Sequence, residues 1–118
     1  VAGLEVKEKD QDTYRKYRIL AYTTGQYRAY QNLVNQKIYD MALDSLISTI
    51  GRCEEYSSDA KELGCEGEIS DIQAKAEEAL EAFKIDTEKA LEVYDMKDRT
   101  AYSKEIYQIL DDAGLSEE

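Results

Sequence analysis

The sequence contains no proline, no tryptophan and no histidine, and it has only two cysteines, Cys53 and Cys65. Without histidine it lacks the commonest general base and the commonest metal ligand, which excludes a histidine-dependent catalytic triad and a Glu-x-x-His di-iron bundle. Two thiols with no histidine and no Cys-x-x-Cys leave half of a zinc tetrahedron unfilled. A pair this sparse is not the disulfide framework of a small secreted domain. One bridge or two free thiols remain, and the helical or helix-end positions of the two residues favour free thiols acting as small buried hydrophobes. No stretch approaches the ~20 apolar residues of a membrane span.

The chain does have enough to bury. Of 118 residues, 42% are apolar and ten are tyrosine, so wholesale disorder is not expected despite 35% charged residues and a net charge of -11. The length suits one domain. The first residues are Val1-Ala2-Gly3 rather than an initiator methionine, which leads to the expectation of an excerpt or processed product of a longer polypeptide, its targeting signals cut away.

The absence of proline, together with abundant Ala, Leu, Glu, Lys, Gln and Ile at three- and four-residue spacing, predicts an all-α fold of about five helices. Residues 1–10 read as a flexible lead-in, with Asp10 or Asp12 as N-cap of a first helix from Thr13 to Gln36. Its stripe runs through Tyr17, Leu20, Ala21, Thr24, Tyr27 and Val34, widened by Ile19, Tyr22, Tyr30 and Leu33. Thr23-Thr24-Gly25 is its weak point, where a kink or a break is expected. After the polar turn Asn35-Gln36-Lys37 comes a second helix, Tyr39 to Leu63, stopped by Gly64. Cys65-Glu66-Gly67 reads as a turn, and Glu68 to Phe83 as the third helix. Asp86 caps a short fourth helix from Thr87 to Tyr94, and Asp98 caps a fifth from Arg99 to Asp112, stopped by Gly114. The expected organisation is one helical domain over 11–118, a hairpin at 13–63 followed by helices at 68–113.

Charge is unevenly placed. Residues up to Asp59 carry 8 basic against 9 acidic side chains, and the remainder 7 against 17. Between Asp12 and Asp40 there is no carboxylate, while Arg15, Lys16, Arg18, Arg28 and Lys37 give that segment +5, interleaved with six tyrosines. This composition suits phosphate backbones and stacked bases, or an acidic peptide. The plainer alternative is that the tyrosines pack between helices and the arginines pair with the chain's own acidic second half. The overall charge opposes long-range attraction of nucleic acid.

The hairpin junction Tyr30-Gln-Asn-Leu33-Val-Asn-Gln-Lys-Ile-Tyr39-Asp-Met-Ala42-Leu43-Asp-Ser-Leu46 resembles a tetratricopeptide repeat. Tyr39, Ala42 and Leu46 match the opening of that family's second helix, and Leu33 the end of its first, over residues 23–53. The physical sense is that Ala42 lets two helices approach closely while Tyr39 fills the gap beside the turn. A 34-residue shift aligns Ala42 with Ala76 and Leu46 with Leu80, but it sets Gly64 and Gly67 where the next first helix should run. The resemblance therefore implies one hairpin followed by divergent helices. The segments Asp86–Tyr94 and Asp98–Leu110 look like the end of helical domains attached to membrane-anchored bacterial proteins, which leaves a cytoplasmic or an anchored, extracytoplasmic location open.

For catalysis only carboxylates, Lys, Tyr and Cys remain. The adjacent pairs Glu54-Glu55, Glu77-Glu78 and Asp111-Asp112 point about 100° apart on a helix, and Asp95 to Asp98 lacks the ligand pattern of a calcium loop. The expectation is a non-catalytic module without cofactor or metal that binds a protein or peptide on its helical surface. Arg15, Arg18 and Arg28 are the expected electrostatic contacts, and Tyr14, Tyr22 and Tyr27 the amphipathic anchors. A structural spacer, a homodimerisation domain or nucleic-acid binding through the same helix are the alternatives.

Overall fold

In the computed structural model, which describes residues 2–115 with side chains from Gln11 onward, the strong helix formers and the absence of proline produce five helices and, among the described residues, no strand. They are α1 (Ala2–Asn35), α2 (Tyr39–Glu62), α3 (Glu66–Ala79), α4 (Thr87–Tyr94) and α5 (Arg99–Asp112), with a 3₁₀ turn, Leu80–Phe83, tightening the end of α3. The fold is an all-α small helical bundle.

α1 departs most from the sequence reading. It begins at Ala2, so residues 2–10 are helical rather than a flexible lead-in, and Asp10 and Asp12 lie inside the helix instead of capping it. Val1 lies outside the described residues. Past Gly3 this segment consists mainly of good helix formers with no breaker, so nothing stops the helix at Asp10. Nor does α1 break at Thr23-Thr24-Gly25. The Thr23 hydroxyl is buried and donates back to the carbonyls of Ile19 at 3.0 Å and Leu20 at 3.3 Å, so a β-branched residue is absorbed without an unpaired polar group.

α2 is the central element and touches each of the other four helices. Most of its inward positions, including Ala42, Leu43, Leu46, Ile47, Ile50, Cys53 and Ala60, are completely buried. Two cores form around it. The larger joins Tyr30, the first half of α2, Ala76, Leu80, Phe83, Ala90, Val93, Ile106, Ile109 and Leu110. The smaller holds Ile19, Cys53, Ala60, Cys65 and Ile69. α1 therefore buries Ile19, Thr23 and Tyr30, and of the expected stripe Leu20, Tyr27 and Val34 pack against the two cores, whereas Tyr17, 70% exposed, and Ala21 face outward. A tyrosine suits either side of a helix, so its position alone does not orient the face.

Every helix end but that of α4 follows one device. The amides of Ile38, Cys65, Ile85 and Leu115 donate to carbonyls five residues earlier, and the residue before each, Lys37, Gly64, Lys84 and Gly114, has positive φ. At Gly64 and Gly114 this conformation is unstrained, whereas Lys37 and Lys84 hold it against their own Cβ. Cys65, Glu66 and Gly67 do not form a separate turn, because Cys65 is the N-cap residue of α3. Lys84→Gly is expected to raise stability by about 0.5–1 kcal/mol, measured by urea unfolding.

The molecule is elongated, 63 × 28 × 19 Å. α1 is ~51 Å long and α2 ~36 Å, and Arg15 meets Asp59 near the end of α2, so roughly ten residues of α1 run past the hairpin.

Candidate functional site

The bundle divides the exposed and half-buried residues of the basic, tyrosine-bearing segment among three places. Arg15, Arg18 and Tyr22 come together with Ile19, Tyr56 and Asp59 in a shallow groove of about 190 Å³ between α1 and α2. Tyr14, 63% exposed, and Arg28 stand on the outward face. Tyr27 turns towards α3, half-buried against the larger core, with its ring 5.8 Å from that of Tyr30. It lines a second groove with Gln31, Asn32, Asn35, Lys75 and Glu78. Tyr27 is thus as much a packing residue as a surface anchor, because it packs against the larger core.

Within the first groove Arg15 reaches Asp12 at 3.6 Å and Asp59 at 3.8 Å. Both pairs are exposed and worth at most about 1 kcal/mol. Arg18 and Arg28 make no ion pair with any described residue, and among the side chains described in α1, from Gln11 onward, no basic residue pairs with the described acidic residues beyond Asp59. Among the described residues the basic segment is therefore not neutralised by the acidic second half of the chain.

Sequence reasoning missed the residues that hold Tyr22. Its ring, 39% exposed, meets Tyr56 edge-on at 6.3 Å, and the Arg52 guanidinium lies over it at 4.9 Å. Arg52 is paired with Glu55 at 3.1 Å, and Glu55 accepts the Tyr94 hydroxyl of α4 at 3.0 Å. A chain Tyr22–Arg52–Glu55–Tyr94 thus runs across α2 and sets the Tyr22 ring. The only sequence signal was the Arg52, Glu55, Tyr56 spacing of one helical turn.

On the other flank of α2, Tyr102 donates to Asp44 and Tyr107 to Asp40, the latter at 3.3 Å. With Tyr94–Glu55, three tyrosines of α4 and α5 are tied to carboxylates of α2. Burial, then the bond to Asp44, pushes the Tyr102 hydroxyl up, and burial with the bond to Glu55 pushes Tyr94 up to about 12. A folded pKa above the unfolded value of about 10 gives stability that is complete below pH 10 and lost as pH rises through 12. Urea midpoints are therefore expected to fall between pH 10 and 12, and Tyr94→Phe to flatten part of that slope.

Both cysteines are free and buried, Cys53 within α2 and Cys65 at the N-cap of α3. Burial, with the nearby Glu77 charge, pushes the Cys53 thiol up to about 12. Neither thiol is expected to react with a chromogenic disulfide at pH 8 in the native protein, and both to react in denaturant. Rapid labelling without denaturant would show the smaller core to be open.

Among the described residues no group of three or more carboxylates or cysteines is placed to hold a metal ion, and no helix is long and apolar enough to cross a membrane. No family model, curated protein or solved structure matches this chain.

Proposed function

We propose that this chain is a non-catalytic protein–protein interaction module, part of a larger bacterial protein, that receives a peptide or partner helix on its helical surface, with the exposed arginines and tyrosines of α1 as contacts. The observation that carries the reading is the carboxylate-free span from Thr13 to Tyr39, which bears five cations in a chain of net charge -11, with Arg18 and Arg28 unpaired among the described residues. Isolated cations on an acidic protein repel partners of like sign and attract a carboxylate-bearing segment, while exposed tyrosines add contact area at low entropic cost.

The tetratricopeptide-like character of the first hairpin belongs to the same reading. It is supported by Ala42, which is fully buried on α2, and by Tyr39, which packs against the larger core beside the turn. Helix pairs of this kind present extended surfaces to peptides.

The test compares the immobilised chain with its Arg15→Glu/Arg18→Glu/Arg28→Glu variant. Each is exposed to a lysate of the source cell, with and without nuclease, and to a soluble tagged copy of the chain. A protein retained by the wild type and lost by the variant is the expected result. Nuclease-sensitive retention with a steep salt dependence would replace the reading with nucleic-acid binding. Empty lanes from both forms would leave a spacer.

A further inference from the structure

We infer that the groove between α1 and α2 takes a single glutamate side chain of a partner protein, presented on a segment that is otherwise neutral or basic. The inference rests on the interaction-module reading and names the contact and the chemistry of the partner. Helical spacing builds the groove. Arg15, Arg18, Ile19 and Tyr22 fall at i, i+3, i+4 and i+7 of α1, and Tyr56 and Asp59 lie one turn apart on α2, so all six line one cleft. Its volume of about 190 Å³ is below the roughly 300 Å³ at which pockets for whole small molecules begin, and it suits one side chain.

The lining is amphipathic. Ile19, 6% exposed, supplies the apolar floor, and beside it stand the rings of Tyr22 and Tyr56, edge to face at 6.3 Å. The Arg52 guanidinium, 4.9 Å from the centre of the Tyr22 ring, fixes that wall. The two arginines of the cleft are in different states. Arg15 is held by Asp12 at 3.6 Å and Asp59 at 3.8 Å. Arg18 has no ion pair or hydrogen bond with any described residue, so its five N–H donors are unengaged. The hydroxyls of Tyr22 and Tyr56 likewise have no partner among the described residues, unlike those of Tyr94, Tyr102 and Tyr107.

This arrangement selects for one carboxylate rather than a run of them. Arg18 offers a planar, two-point contact to one carboxylate, whereas a second would meet Asp12 and Asp59, which already occupy Arg15. The net charge of -11 acts in the same direction over longer distances, repelling a polyacidic segment and favouring a neutral or basic one. Glutamate has the stem to cover Ile19 while its carboxylate reaches the rim, and aspartate is one methylene short.

The experiment selects random peptides of about twelve residues, displayed on phage, on the full chain. The enriched sequences are synthesised with free and with amidated C-termini, and fluorescence anisotropy measures their binding to wild type, Arg18→Gln and Lys16→Gln. Lys16 is a cation of the same helix that does not line the cleft. The enriched peptides are expected to share one glutamate and to have zero or positive net charge. Glu→Gln in the peptide and Arg18→Gln in the protein should each weaken binding about fivefold, the size of a rim charge pair, and the two together no more than either alone. Lys16→Gln and amidation should leave the Kd unchanged, and Arg18→Gln should melt with the wild type, since Arg18 is exposed. Peptides held equally by wild type and Arg18→Gln overturn the cleft as the site and leave the interaction-module reading standing. Dependence on a free C-terminus overturns glutamate as the source of the carboxylate. Polyacidic peptides weakened as much by Lys16→Gln as by Arg18→Gln overturn the single-carboxylate chemistry. A selection that enriches no peptide overturns the proposal together with the reading it rests on.

Discussion

Gly51→Ala is expected to destabilise the fold by about 3 kcal/mol and to lower its melting temperature by roughly 10 °C, although the same exchange at an exposed helix interior stabilises by about 1 kcal/mol. Gly51 lies in α2 where α4 crosses it, and a Cβ added there would overlap the ring of Tyr94. That ring cannot simply swing away, because its hydroxyl is bonded to Glu55 at 3.0 Å. Overpacking of this kind moves α4, and with it the buried Ala90 and Val93 of the larger core. Removing the ring should relieve the conflict, so Gly51→Ala/Tyr94→Ala should lose less than the two single changes added together. Thermal and urea melts of the four proteins decide the matter. A Gly51→Ala protein that melts with or above the wild type would show that α4 is not seated on Gly51.

Ala42→Glu is expected to remove the cooperative melting transition, or to lower stability by more than 4 kcal/mol out of the 5–15 kcal/mol typical of such domains. Ala42 is fully buried in the first turn of α2, inside the cluster that includes Tyr30, Leu43 and Leu46. A carboxylate there has neither water nor a cation to pair with, and its volume would part α1 from α2. The neighbouring Met41 is 56% exposed, so Met41→Glu provides the control and should stay within about 0.5 kcal/mol of wild type. Near-ultraviolet circular dichroism, which reads the packed tyrosines, should lose its fine structure in Ala42→Glu alone. An unchanged melt would place Ala42 away from the closest helix contact.

The sequence was most legible where a structural decision depends on residues within one turn of each other. α4 and α5 begin and end at the residues expected, because Asp86 accepts the Lys89 amide at 2.8 Å and Asp98 accepts those of Thr100 and Ala101 at 2.9 and 3.2 Å. Gly64 and Gly114 stop their helices for the same local reason. The all-α class follows from the absence of proline and from helix formers at three- and four-residue spacing. Of the candidate surface, composition located the basic span of α1 and its tyrosines, since a run without carboxylates is visible without coordinates.

What only the tertiary structure decided are relations between residues far apart in the chain. Which side of α1 is buried depends on whether Ile19 and Thr23 or Tyr17 meets α2 and α3, and a stripe rich in amphipathic tyrosines is compatible with either. The setting of Tyr22 by Arg52 and Tyr56, the ties of Tyr94, Tyr102 and Tyr107 to Glu55, Asp44 and Asp40, and the need for glycine at position 51 all arise where α2 meets another helix. Helix propensity and capping are short-range terms that a linear sequence displays directly. Packing is a long-range term, and its outcome at Gly51 reverses the sign that propensity alone assigns.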